Sequence, residues 1–62
     1  MKNLAELRKA ANLTQQDVAD ELKVGRTTVT AWETGENMVP AKYLLALANI
    51  LGCTVEDILQ TA

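Results

Sequence analysis

Between Thr14 and Thr30 the chain gathers most of the side chains that could recognise something by hydrogen bonding. Arg26 can donate two parallel bonds to a pair of acceptors, such as a phosphate or the edge of a guanine. Thr27, Thr28 and Thr30 follow it, each with a hydroxyl that both donates and accepts. Upstream, Thr14-Gln15-Gln16-Asp17 is a polar cluster of the kind that opens a helix and leaves backbone N–H groups for an anion. This is recognition chemistry, not bond-making chemistry. The 62 residues include no histidine and no serine. Serine nucleophiles, histidine acid–base pairs and zinc-activated water are therefore excluded. The single cysteine, Cys53, allows no intramolecular disulfide, and a tetrahedral zinc site lacks ligands. No catalytic residue, metal, cofactor or small-molecule substrate is expected.

The elements that must hold these groups are helices. Asn3 is a good N-cap for a first helix over residues 4–11, with Glu6 three positions on as in a capping box. Leu4, Leu7 and Ala11 share its inner face. Asn12 tolerates the left-handed geometry of a helix end. Thr14 with Asp17 repeats the capping pattern, and Val18, Ala19 and Leu22 follow at helical spacing. Lys23-Val24-Gly25 then makes a short connection. A third helix is expected over residues 26–34, capped by Gly25 and closed by Gly35. Its threonines favour a strand on propensity. Val29, Trp32 and Gly35 fit helical spacing, and that decides for helix. Val29 and Trp32 point inward; Arg26, Thr27, Thr30 and Ala31 point mostly outward. Pro40 suits the first turn of a fourth helix, whose stripe of Leu44, Leu47, Ala48 and Leu51 ends at Gly52. Thr54 and Asp57 cap a short fifth helix with Val55, Ile58 and Leu59 facing inward.

One domain spanning residues 1–62 is expected. Apolar residues make up 48%, enough for one aliphatic core around Trp32 and Tyr43. Trp32 belongs to that core, being in register with Val29. Cys53 reads as a small buried hydrophobe, and Asp17, Asp20 and Glu21 as a solvated face. The start of the chain lacks an apolar signal region, and no apolar run nears the roughly 18 residues of a membrane span. A cytoplasmic location is expected, with no membrane partner. The net charge is −2 and the pI about 4.8. A strong nonspecific nucleic-acid binder is usually basic, so the placement of charge has to matter more than its sum.

Residues 13–35 (LTQQDVADELKVGRTTVTAWETG) thus hold two short helices joined by a tight turn, each with one apolar face and a polar N-terminus. A helix-turn-helix reader needs this arrangement. The chain resembles the Xre family, which includes lambdoid phage repressors and Cro. Residues 7–22, LRKAANLTQQDVADEL, match the family's first two helices, and VGRTTVTAWETGE its turn, recognition helix and terminal glycine. LLALANILGCTVEDIL matches its closing helices. The resemblance implies an all-α, compact five-helix fold of the lambda-repressor type, with the helix-turn-helix at helices 2 and 3. It implies base contacts from Arg26, Thr27, Thr30 and Ala31, and phosphate contacts from Thr14, Gln15, Thr28, Asn37 and Lys42. Arg8 and Glu33 occupy positions that form a buried ion pair in related repressors. Where the family's turn usually has glycine, this chain has Lys23, and Glu36 puts a negative charge in a loop expected near phosphate.

The function so implied is a sequence-specific DNA-binding transcriptional regulator that inserts helix 3 into the major groove of double-stranded DNA. It would bind a palindromic operator as a homodimer, through the loop before helix 4 and the C-terminal helix. Arg26, Lys42 and Lys2 are expected on the DNA side, with Glu6, Glu56 and Asp57 well away from it. The acidic pI and the bare methyl of Ala31 keep a second reading open: a protein-interaction module, antitoxin- or antirepressor-like, with weak DNA affinity.

Overall fold

Three of the helix starts are made by a side chain that takes up a backbone N–H with no partner inside the helix. The structure, a computed structural model, describes residues 3–60. Lys2 lies outside them. The described chain forms α1 (Leu4–Ala10), α2 (Gln15–Leu22), α3 (Arg26–Thr34), α4 (Ala41–Leu51) and α5 (Val55–Leu59). At α2 and α5 the capping box is complete: Thr14 and Asp17, and Thr54 and Asp57, bond each other's backbone N–H. At α1 only half forms, with the Glu6 N–H donating to Asn3 Oδ1 at 2.8 Å. α1 also stops one residue short of expectation, with Ala11 as its C-cap.

The connections turn sharply where a residue adopts positive φ. Asn12 and Lys23 do so at φ 60° and 57°, and Gly35 and Gly52 close α3 and α4 at 82° and 67°. At Lys23 the left-handed backbone crowds Cβ against the following carbonyl, a strain of about 1–2 kcal/mol that glycine would not carry. The turn is nonetheless held, because the Val24 N–H reaches back to the Ala19 carbonyl at 3.0 Å. Gly25 then caps α3 without a side-chain bond.

α4 is the platform. α1, α2 and α5 all pack against it, while α3 packs against α2 and α1. The core draws Leu4 and Leu7 from α1, Val18, Ala19 and Leu22 from α2, Val29 and Trp32 from α3, Leu47, Ala48 and Leu51 from α4, and Ile58 from α5. Trp32 is buried as expected, and its ring lies 5.6 Å from that of Tyr43 at a 45° tilt. The radius of gyration is 10.0 Å, against about 10.6 Å for a compact chain of this length.

One inward assignment changes. Leu59 is 54% exposed, since a helix of five residues can turn only one side chain, Ile58, fully onto α4. Leu44 is half-buried at the edge of the same contact. Pro40 sits just ahead of α4 as its N-cap, not in its first turn. Cys53 is half-buried, and burial, then the Asp57 carboxylate, push its thiol pKa up, so it stays protonated near neutrality. No helix among the described residues is long and apolar enough to cross a membrane.

Replacing Lys23 by glycine should relieve more strain than it adds in chain entropy. The expected outcome is a gain of roughly 0.5–1 kcal/mol, seen as a rise in Tm of about 4 °C. A lower Tm by circular dichroism would show that Lys23 is not strained. Acid should act on Asp17. Its carboxyl is held below its ordinary value of 3.8, first by the Thr14 backbone N–H and then by the Thr14 hydroxyl. A depressed carboxyl stabilises the fold fully above its unfolded-state pKa and loses that effect as pH falls through the folded one. Asp17→Asn should therefore flatten the decline in Tm below pH 4.

Candidate nucleic-acid interface

α2 ends at the left-handed Lys23, and α3 begins after only Val24 and Gly25, so the polar starts of both helices can come together. Gln15, on the first turn of α2, and Arg26, on the first turn of α3, meet at that junction. The Gln15 Oε1 accepts from Arg26 Nε at 3.4 Å and from the Thr30 hydroxyl at 3.2 Å. Thr30 has a single hydroxyl proton. That proton is also within reach of the Arg26 carbonyl at 3.1 Å, so it serves one acceptor at a time.

The other end of the same amide is held by Glu33. Gln15 Nε2 donates to Glu33 Oε1 at 2.9 Å. The Arg8 guanidinium grips that carboxylate from α1, with Nε on Oε2 at 2.6 Å and Nη2 on Oε1 at 3.3 Å. Its Nη1 donates to the Leu13 carbonyl at 2.8 Å. The side chains of Arg8 and Glu33 are 12% and 7% exposed. The ion pair implied by the resemblance is therefore formed and largely shielded from water. A carboxylate only accepts, so Glu33 forces the nitrogen of the Gln15 amide toward itself and leaves the oxygen for Arg26 and Thr30. α1, α2 and α3 are joined at this one point.

The expected contact residues divide into groups. Arg26, Thr27, Thr30 and Ala31 line one open concavity along α3, and Glu36 lines it with them. Arg8, Thr14, Gln15, Gln16 and Arg26 line a second at the start of α2. Arg26 belongs to both. Arg26 and Thr27 are exposed, while Thr30 is half-buried. Ala31 faces the same concavity but is only 9% exposed, and it lies outside the core cluster. The segment after α3 doubles back over it, with the Asn37 N–H donating to the Ala31 carbonyl at 3.2 Å. Thr28, half-buried, Asn37 and Lys42 line neither concavity. Asn37 instead edges an apolar groove with Trp32, Met38, Val39, Leu44 and Leu59. The Lys42 ammonium sits 5.1 Å from the centre of the Tyr43 ring, a cation–π distance.

Gln16 and Glu36 were not among the expected contact residues. Gln16 bonds Asp20 one turn on, at 2.8 Å, and its position beside Gln15 was the available signal. At the start of α2 the Asp17 N–H is satisfied by Thr14, whereas those of Gln15 and Gln16 precede any intrahelical acceptor. With the positive end of the helix dipole behind them, these groups suit a phosphate oxygen. The Gln15 side chain is already engaged, so its backbone is the freer donor. Among the described residues no cluster of three metal-ligating side chains occurs.

A family model described as Helix-turn-helix matches residues 4–58. An uncharacterised HTH-type transcriptional regulator of Methanocaldococcus jannaschii is 41% identical over 59 residues, 94% of this chain and 89% of that protein. The cryptic phage CTXphi transcriptional repressor RstR of Vibrio cholerae is 32% identical over 57 residues, 92% of this chain and 51% of that protein. The HTH-type transcriptional activator BcrR of Enterococcus faecalis is 31% identical over 59 residues, 95% of this chain and 29% of that protein. The chain thus spans about half the length, or less, of the last two. No solved structure matches it.

Removing the Glu33 carboxylate leaves Arg8 shielded without a counter-charge, which destabilises by about 3 kcal/mol. Gln15→Ala keeps the ion pair and removes the bonds of an uncharged amide to the Glu33 carboxylate and the Arg26 guanidinium, for about 1.5 kcal/mol. Urea unfolding of Glu33→Ala and Gln15→Ala should reproduce that order. Equal losses would mean that Arg8 and Glu33 contribute no more than a surface pair.

Proposed function

The chain belongs to the helix-turn-helix family, and on that premise we propose that it is a sequence-specific DNA-binding domain that regulates transcription. The observation that carries this reading is the shared position of Arg26. It is exposed on the first turn of α3, and it lines both the concavity along α3 and the one at the start of α2. α3 can lie in the major groove with Arg26 donating to the O6 and N7 of guanine and Thr27 beside it. The N-terminus of α2 then meets the flanking phosphate. Thr30 acts from behind, through the Gln15 amide, and the Ala31 methyl offers a shallow apolar floor to a thymine methyl. Thr14, Thr28, Asn37 and Lys42 are proposed backbone contacts.

Binding is proposed to be by two copies on a palindromic site, with half-sites about 34 Å apart. Met38, 76% exposed, and Leu59 flank the apolar groove beside Trp32 and Leu44. A second copy packed there would cover both and set two α3 helices on one face. Occupying a promoter would repress. The M. jannaschii relative is named a regulator, RstR a repressor and BcrR an activator, and repression is the reading favoured for this chain. Its place of action would be the cytoplasm, on DNA.

The acidic net charge favours the rival reading, a protein-interaction module, and the same experiment separates the two. Selection from random duplexes at stated salt should return a two-fold motif containing guanine. Arg26→Ala should lose the guanine preference by roughly tenfold or more. Few cations face the DNA, so log K against log salt should fall with a slope of only about −2 to −3 per chain. No shared motif, with a slope near zero, would leave the interaction module standing.

A further inference from the structure

The concavity along α3 has a basic residue at one end and an acidic one at the other. Arg26 opens it on the first turn; Glu36 closes it just beyond Gly35. Glu36 is exposed, and the ion pair found among the described residues is that of Arg8 with Glu33, so among those residues no cation is paired with it. The chain is folded back at this point by the bond from the Asn37 N–H to the Ala31 carbonyl, which keeps Glu36 over the last turn of α3. An unpaired carboxylate here would repel any phosphate brought to it. It is compatible with bound DNA only where it meets a hydrogen-bond donor.

The major groove narrows the choice. A carboxylate only accepts. Guanine presents two acceptors there, and thymine an acceptor and a methyl group. Adenine has an amino donor, but its N7 acceptor lies beside it and repels a second acceptor. Cytosine presents its N4 amino group alone. Resting on the DNA-binding reading above, we propose that Glu36 reads cytosine, and that Arg26 and Glu36 together set a guanine and a cytosine at a fixed separation in each half-site. The two ends of α3, Arg26 and Thr34, are about 12 Å apart along the helix axis. With base pairs stacked about 3.4 Å apart, that separation is roughly three or four steps. On this account the acidic residue lowers affinity for DNA in general and raises the contrast between the right sequence and the rest.

The test is selection from random duplexes with the unaltered chain and with Glu36→Ala and Glu36→Gln. Melting curves should coincide for all three, because Glu36 is exposed and unpartnered. The unaltered chain should return guanine and cytosine at the stated spacing. Glu36→Ala should lose the cytosine preference by roughly tenfold while keeping guanine. Glu36→Gln should move the preference to adenine, whose N6 and N7 a glutamine pairs with. If either variant keeps the cytosine preference and merely tightens every duplex by one factor, Glu36 is a repulsive charge and the proposal is overturned. A motif with no cytosine at that spacing also overturns it, while leaving the DNA-binding reading intact. If the unaltered chain returns no motif at all, that reading falls, and this one with it.

Discussion

Glu33 is asked to do what few side chains in so small a chain can do: accept from two helices at once while standing on a third. Arg8 reaches it from α1 and Gln15 from α2. Both oxygens are occupied by donors, so the shielded carboxylate is compensated. Its effect does not stop at stability. A neutral amide can face either way; the accepting carboxylate of Glu33 at one end and the donating guanidinium of Arg26 at the other fix which end of Gln15 turns to Arg26. The residue proposed to read DNA is thus oriented from the core outward, along a chain of hydrogen bonds, and not left to solvent.

Charge placement follows a similar logic on the outer face. The chain carries eight acidic residues and six basic ones, so it cannot hold DNA by general attraction. Five of the acids are engaged locally: Asp17 and Asp57 cap helices, Glu33 is in the ion pair, and Asp20 and Glu56 accept from Gln16 and Gln60. Arg26 is left prominent at the junction of two helix N-termini, where backbone dipoles add to its positive field. A weakly attractive surface with one well-positioned arginine should discriminate among sequences more than it binds them at large.

Much of this was legible because the signals were local. Capping boxes at Thr14 and Thr54 need only a three-residue spacing, and both formed as read. The third helix was visible as the register of Val29 with Trp32, whereas the strain at Lys23 showed only against the glycine usual in the family's turn. The Arg8–Glu33 pair was legible only through family likeness, since no local rule joins residues 25 apart. What failed needed tertiary knowledge. Ala31 lines the outer concavity at the register read for it, yet only 9% of it is exposed there; Leu59 sits at an inward register, yet α5 is too short to bury it. The inward role of the Gln15 side chain was missed too. A glutamine at a helix start looks like a solvent or phosphate ligand until the carboxylate it must satisfy is known to be beside it.

The central claim is that one face, organised from Glu33, meets DNA. Backbone amide shifts of the labelled chain, followed by NMR during titration with a selected duplex, test it most directly. The account predicts large shifts at Gln15 and Gln16, along α3 from Arg26 to Thr30, at Glu36 and at Lys42, with α1 and the Leu45 face of α4 nearly still. Shifts centred on α5 and the exposed Leu45 face of α4, with Arg26 unmoved, would contradict it.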